Sequence, residues 1–360
     1  MKKRFFILAV MLTLALGLVA CGEDSKSSEK LKEETTLELD EKKAETKDES
    51  EYIEDDVNED QVDMYEGDEE APAKEELAES YEEVIFEGPE NINVQFYEIP
   101  EGTTKIATRA FESCHNLDQV TIPDSVKEIG NNAFAGTKLT SITLPEGLEI
   151  IGNEAFINTP IESIVIPDSV KVIGNNAFFN TYLAEVAIPS GVEELGSGAF
   201  GECQYLKKIV NNSKIVSEGM CYRCTQLETV QLVEGVTDIE GNAFSDCPAL
   251  RSIVLPSSVK TIGHHAFAFQ DPSNSGMLEE IIIPDGLESI GYCAFSGNNK
   301  LTITIPSSVT NIEELAFFEI GCVRVPQSIL DRLGVREDGF RDAYAGSRFD
   351  DYQVAIEIIN

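Results

Sequence analysis

Eight cysteines and three histidines are the residues of this chain whose chemistry needs an explanation first. Cys221-x-x-Cys224 has the spacing of a dithiol redox string, but such a string works when a helix N-terminus following a strand lowers the thiol pKa. Here it falls inside a repeated β-rich phrase and reads as one column cysteine with a neighbour. Cys114, Cys203, Cys224 and Cys247 each follow an aromatic marker position by three residues, which puts them in one inward column as small buried hydrophobes. Cys203, Cys224 and Cys247 stand on successive repeats, roughly one strand spacing of about 4.8 Å apart, inside the Cα range that a disulfide tolerates. His264 and His265 sit between Gly263 and Ala266, where other repeats carry Asn131-Asn132 or Asn175-Asn176. They are expected in a surface turn, not on a metal. No serine has a histidine and acid in a recognisable context, and the glycines keep the repeat period where a phosphate loop would cluster them. Carboxylate pairs occur on any acidic surface and single out no glycosidase site. The expectation is a protein that is not an enzyme and has no cofactor or metal.

The elements that position these residues repeat. An apolar strand ends in Ile-Pro or Leu-Pro, and Val-x-x-Ile-Gly-x-x-Ala-Phe follows. The Phe position is read at Phe111, Phe134, Phe156, Phe178, Phe200, Met220, Phe244, Phe267, Phe295 and Phe317, a period near 22 residues. A period of this length sustained over the chain is the signature of a solenoid. Alternation within the strand points Val120 and Ile122 inward and Gln119 and Thr121 outward. Proline closes the strand where no further ladder donor is wanted, and Gly130, Gly152, Gly174, Gly196, Gly263 and Gly291 are read as turn positions that a Cβ would strain. The phenylalanines are expected to stack through the interior as the structural core.

Leu117-x-x-Val120-x-Ile122-Pro123-x-x-Val126-x-x-Ile129-Gly130-x-x-Ala133-Phe134 resembles the BspA-type leucine-rich repeat of bacterial surface proteins. The resemblance covers residues 92–326 and implies a right-handed, β-rich leucine-rich-repeat solenoid of about ten repeats of 22–23 residues. Two places depart from the phrase. Around Met220 the Phe is replaced, Asn212 and Glu234 stand where proline belongs, and the middle of the array is therefore its least regular part. Between Phe267 and Phe295 the spacing stretches to 28 residues, which locates an inserted loop at Gln270–Gly276.

The first residues are basic (Lys2, Lys3, Arg4), then apolar from Phe5 to Leu18. That run is shorter than the roughly 20 residues a spanning helix needs and reads as a signal peptide. Leu18-Val19-Ala20-Cys21 resembles a lipobox, which implies a mature N-terminus at Cys21 carrying a lipid anchor. The chain holds 27 basic against 65 acidic residues, and 29 acidic against 7 basic of them fall within residues 22–90. So acidic and so poor in sustained apolar pattern, this N-terminal segment is expected to be disordered. Its acidity also argues against nucleic acid, whose phosphates are met by Lys and Arg. The expected organisation is a signal peptide at 1–20, a tether at 21–88, the solenoid at 89–326 and a C-terminal cap at 327–360. Phe86 to Pro100 forms a first, incomplete repeat, and Asp331 to Asp351 is expected to be helical in part.

What remains for function is surface. The outward strand column nearest the proline contains Val165, Ala187, Val210, Val254 and Ile282, an apolar strip on a preformed face. β-branched residues also suit an exposed ladder whatever its function. The strip is the candidate binding site for an extracellular protein ligand, and the resemblance implies adhesion or protein–protein recognition. The alternative is carbohydrate binding, or scaffolding beside secreted glycan-degrading enzymes. Sugar platforms favour exposed Trp and Tyr, and the chain has no Trp. A glycan partner is therefore the weaker expectation, and the expected location is the extracytoplasmic face of the membrane.

Overall fold

The structure is a computed structural model that describes residues 83–270, 278–333 and 355–359. The expected signal peptide, the anchor at Cys21, nearly all of the tether and most of the inserted loop lie outside the described residues. The repeat region is a parallel β-solenoid of about ten turns.

Local chemistry makes each turn. Proline lacks an N–H and ends the outer strand, and its carbonyl then accepts the N–H of the valine three residues on. The distance is 3.1 Å for Val126 to Pro123 and for Val170 to Pro167, and 3.2 Å for Val259 to Pro256. This turn delivers the chain into a two-residue strand, such as Glu128–Ile129, that pairs in parallel with Lys105–Ile106 and Ile150–Ile151. A second tight turn follows, with Ala133 N–H on the Gly130 carbonyl at 3.2 Å, and the chain enters the core at phenylalanine.

The glycines of the Ile-Gly pairs serve a different purpose from the one their sequence suggests. Their φ values are ordinary, but a Cβ on Gly152 would stand 2.7 Å from the Asn131 nitrogen, and one on Gly174 2.5 Å from the Asn153 nitrogen. Close approach of the preceding turn requires glycine there. The left-handed position comes two residues later, at Asn132, Asn176, Gly198, Gly219, Asn242 and His265, and also at Arg109, Glu154, Cys293 and Leu315. Asn and Gly tolerate that conformation best. Between them runs an asparagine ladder: Asn131, Asn153 and Asn175 each accept the backbone N–H one turn on through Oδ1, at 2.8–2.9 Å.

The interior is filled by phenylalanine. Phe111, Phe134, Phe156, Phe178 and Phe200 are buried and stack with ring centroids 5.0–5.3 Å apart and planes within 10°. A second stack, Phe244, Phe267, Phe295 and Phe317, runs at 5.5–6.1 Å. The carbonyls of this column need donors, since an unpaired buried acceptor is costly. Thr137, Thr159 and Thr181, three residues past their phenylalanines, donate Oγ1 to them at 2.8–3.0 Å. Asn298 does the same for Phe295 at 2.9 Å and for Phe267 at 2.8 Å.

The two stacks are separated by one irregular turn, and there the reading of the marker column is corrected. Phe178 donates its N–H to Ala199 of the next turn, but Phe200 donates to Met220, and Cys221 donates to Ala243. Met220 therefore occupies the alanine slot, and Cys221 occupies the phenylalanine slot. Arg223, two residues later, has the positive φ that Asn180, Glu202 and Asp246 have at the same offset. With this register Cys224 does trail its marker by three. The same turn interrupts the short-strand sheet. Six strands run in order from Ile85–Phe86 to Glu194–Leu195 and four more from Asp238–Ile239 to Asn311–Ile312, with none named at Ile215–Val216. Buried Asn211 takes over: its Nδ2 donates to the Ile215 carbonyl at 2.7 Å, and its Oδ1 accepts the Ser213 hydroxyl at 2.7 Å. The outer strands lengthen in compensation, with Glu185–Ile188, Lys208–Asn211 and Thr229–Leu232 pairing over four residues each.

At the N-terminal end, pairing begins at Ile85, ahead of the boundary at residue 89 suggested by composition, and Phe86 and Tyr97 pack on Phe111 at 5.3 and 5.5 Å. At the other end Cys322–Pro326 runs directly into a helix, Gln327–Leu333, and pairs with a final parallel strand, Ala355–Ile359. That strand had no counterpart in the sequence reading. The helix lies mostly ahead of the stretch from Asp331 expected to carry it, and residues 334–351 of that stretch lie outside the described residues. Arg332 fixes the helix to the last turns by donating to the Val309 and Ser307 carbonyls at 2.9 and 2.8 Å.

Removal of one ring from a continuous stack leaves a cavity, whereas Cys221 already lies at a gap. Phe178→Ala is expected to cost roughly 3–5 kcal/mol and Cys221→Ala roughly 1–2 kcal/mol. Urea unfolding of the two variants measures the difference; equal losses would show that the interior is not organised around the rings.

Candidate functional site

The outer strands place Ala187, Val210, Val254 and Ile282 outward, because alternation turns Val186 and Ile209 inward, while Val165 lies outside any strand, two residues past the isolated Ser141–Ser163 bridge. Val165 is 79% exposed, Val254 62% and Ile282 51%. Ala187 is exposed as well, and Val210 is half-buried. Direct pairing brings Ala187 beside Val210 and Val254 beside Ile282. Gln231, exposed and paired with Val210, stands between the two groups. The strip is thus two short apolar patches parted by Gln231 on the turn after the irregular one, with Val165 ahead of the first.

Its surroundings are polar and of mixed charge. Glu185 faces Lys208 across the ladder. Arg251 donates to Glu279 at 2.7 Å, and Arg324 donates to Glu357 at 2.7 Å. These are exposed pairs of small energetic weight. Just before the strands, Tyr182 and Tyr205 stand 47% and 49% exposed on neighbouring turns with ring centroids 5.0 Å apart. The sequence analysis singled out neither of them. Tyr182 directly precedes the buried Leu183 and Tyr205 the buried Leu206, a column that alternation within the strand does not reach.

Among the described residues the cysteines other than half-buried Cys322, on the last outer strand, lie in the core. Cys203, Cys224 and Cys247 donate Sγ–H to the carbonyls of Phe178, Phe200 and Cys221 at 3.1–3.2 Å, in the column where threonine serves elsewhere. All three are free thiols, as are Cys114, Cys221, Cys293 and Cys322. Burial pushes the Cys203 and Cys224 thiols well above the usual range and Cys247 up to about 12. A thiol so held is a poor nucleophile. His264 is exposed in its turn, 3.7 Å from a Glu218 oxygen, and His265 packs edge-on against Tyr292 at 5.4 Å. Partial burial and the neighbouring His264 lower the His265 pKa. Among the described residues no group of three or more His, Cys, Asp or Glu could hold a metal ion, and no helix is long and apolar enough to cross a membrane.

A parallel solenoid with one outer strand, one proline turn and one buried ring per 22-residue turn defines a leucine-rich-repeat protein. The chain belongs to the BspA-type leucine-rich repeat region family, whose profile matches in six copies over residues 82–207, 149–272 and 268–329. Solved structures similar to it include a leucine-rich cell surface protein of Faecalibacterium prausnitzii, 24% identical, with a TM-score of 0.44 and covering 71% of this chain and 83% of its own. A leucine-rich repeat protein of Bacteroides ovatus is 19% identical with a TM-score of 0.44, over 76% of this chain and 94% of its own. The pneumococcal vaccine antigen PcpA is 19% identical with a TM-score of 0.35, over 68% and 75%. No curated protein matches the chain.

The thiol environment sets a chemical expectation. In the reduced, folded protein at pH 8, Cys203, Cys221, Cys224 and Cys247 remain unlabelled by iodoacetamide and react on unfolding in urea, as peptide mass spectrometry reads. Rapid labelling of any of the four in the native state would contradict their burial.

Proposed function

We propose that the chain is a surface-displayed lipoprotein whose solenoid recognises an extracellular protein, in the manner of an adhesion module. The observation that carries this reading is the exposure of Val165 and of the directly paired Val254 and Ile282. Large apolar side chains held in water by a rigid scaffold are available for burial against a partner at little ordering cost. Membership of a family of surface repeat proteins supports the same reading.

Display outside the cell rests on the sequence. The apolar run from Phe5 and the Leu18-Val19-Ala20-Cys21 string supply export and a lipid anchor at Cys21, residues 21–88 supply an acidic tether, 89–326 the solenoid and 327–360 its cap. A diacylated cysteine holds a membrane stably where one chain does not.

A second reading, glycan binding, is favoured by one observation: the exposed Tyr182 and Tyr205 rings at 5.0 Å. Their planes are inclined by 57°, so they offer two edges to a sugar and no single flat platform.

The experiment is a panel of extracellular matrix and cell-surface proteins run beside a glycan array. The reading expects a protein ligand whose affinity falls at least tenfold in Val165→Lys/Val254→Lys, with a melting temperature unchanged because both sites are exposed. Binding confined to glycans and lost in Tyr182→Ala would replace it. The anchor is tested separately: Cys21→Ala is expected to move the protein from the membrane fraction to the medium, and retention through a carbonate wash would refute lipidation.

A further inference from the structure

Four buried thiols gather at the one turn where the solenoid is interrupted. Cys221 replaces a ring between Phe200 and Phe244, and Cys203, Cys224 and Cys247 occupy the threonine column on three successive turns. That turn also lacks the short inner strand, so it holds fewer ring contacts and fewer inner ladder bonds than its neighbours. Cys224 is the centre of the cluster, because it stands between Cys203 and Cys247 in that column and three residues after Cys221.

We infer that Cys203 and Cys224 form a disulfide across this turn when a disulfide oxidant is present, binding the two ring stacks together at the point where the core is interrupted. Three features select the pair. They occupy the same column on adjacent turns of a parallel ladder, a separation of about 5 Å that fits disulfide Cα geometry. The pair gives up the fewest donors: the Phe178 carbonyl stays bonded to the Thr181 hydroxyl at 3.0 Å and only the Phe200 carbonyl loses its thiol donor, whereas a Cys224–Cys247 bond would strip both Phe200 and Cys221. Cys221, the other neighbour of Cys224, fills the slot of a phenyl ring, and pulling its sulfur aside would widen the gap in the stack.

The chemistry is thiol–disulfide exchange with a small or protein disulfide. The Cys224 thiolate attacks the oxidant and expels one of its sulfurs as thiolate; the Cys203 thiolate then attacks the Cys224 sulfur of the mixed disulfide and expels the second oxidant sulfur. Two protein S–H bonds are lost and one S–S bond forms, and two protons and two electrons end on the two released thiols. Burial closes the folded turn to the oxidant, so exchange takes place while the turn is open, during folding or local unfolding. The inference concerns the thiols themselves and stands apart from the proposed ligand and anchor.

The full chain is unfolded in urea under reduction, then refolded with oxidised or with reduced glutathione, alkylated, and digested without reduction. A peptide joining Cys203 to Cys224 is expected only in the oxidised sample. Reduction should lower that sample's unfolding equilibrium stability by roughly 300-fold, the loop-closure effect for about 20 residues. Cys203→Thr and Cys224→Thr install the hydroxyl that Thr137, Thr159 and Thr181 already use in this column, so both are expected to fold and to lose both the crosslink and the dependence on reductant. Four free thiols after oxidative refolding, linkage of Cys224 to Cys221 or Cys247, or a reductant-dependent shift surviving in Cys203→Thr would each overturn the assignment.

Discussion

Everything in this solenoid is subordinate to one spacing, the separation of about 5 Å between successive turns that parallel pairing imposes. Phenyl rings stacked with near-parallel planes suit that interval, which is why one Phe per turn fills the interior. The same interval forbids a Cβ at Gly152 and Gly174, since the backbone of the previous turn is already there. It also lets Asn153 reach the next N–H with its side-chain oxygen. Ring, glycine and asparagine columns are three responses to a single constraint, and no turn is stable alone because each finds its partners in the turns on either side.

The polar residues inside follow the same rule. A carbonyl next to a ring cannot reach solvent, so something three residues on must donate to it. Threonine, cysteine and asparagine all occur in that column, and what they share is a short side chain with a hydrogen to give. Hydrophobicity alone ranks these three very differently, yet the site accepts each. Threonine returns to its own turn, as Thr159 does to Phe156, while Cys203 reaches back one turn to Phe178. Among the described residues no buried side-chain nitrogen or oxygen is left without a partner.

Most of the fold was legible because ten copies of one phrase serve as their own comparison. The Pro-x-x-Val spacing maps onto a turn with its hydrogen bond, and the Phe spacing onto the stack. What escaped was whatever depended on distance between turns. The glycines read as turn-formers, whereas their purpose is clearance; only three-dimensional stacking reveals the neighbour. Met220 was read in the ring column because it is the larger apolar residue, but hydrogen-bond register puts Cys221 there. The final strand, Ala355–Ile359, is separated from the array and carries no repeat phrase, so nothing local announced its pairing with Cys322–Pro326. The strip was legible as a column, since alternation places it. Tyr182 and Tyr205 escaped because they belong to a turn whose length varies by one residue between repeats, so periodicity does not align them.

Turns in series behave like springs in series: the most compliant one takes most of any deformation. The turn through Asn211 to Cys221 has a cysteine for a ring and local side-chain bonds for the inner ladder pair, while its outer strand pairs over four residues on both sides, so its inner edge is the compliant one. Twist or bending along the axis concentrates there. Bending taken up on that inner edge leaves the outer ladder from Ala187 through Val210 to Gln231 continuous, so the first apolar patch keeps its shape while the curvature behind it changes.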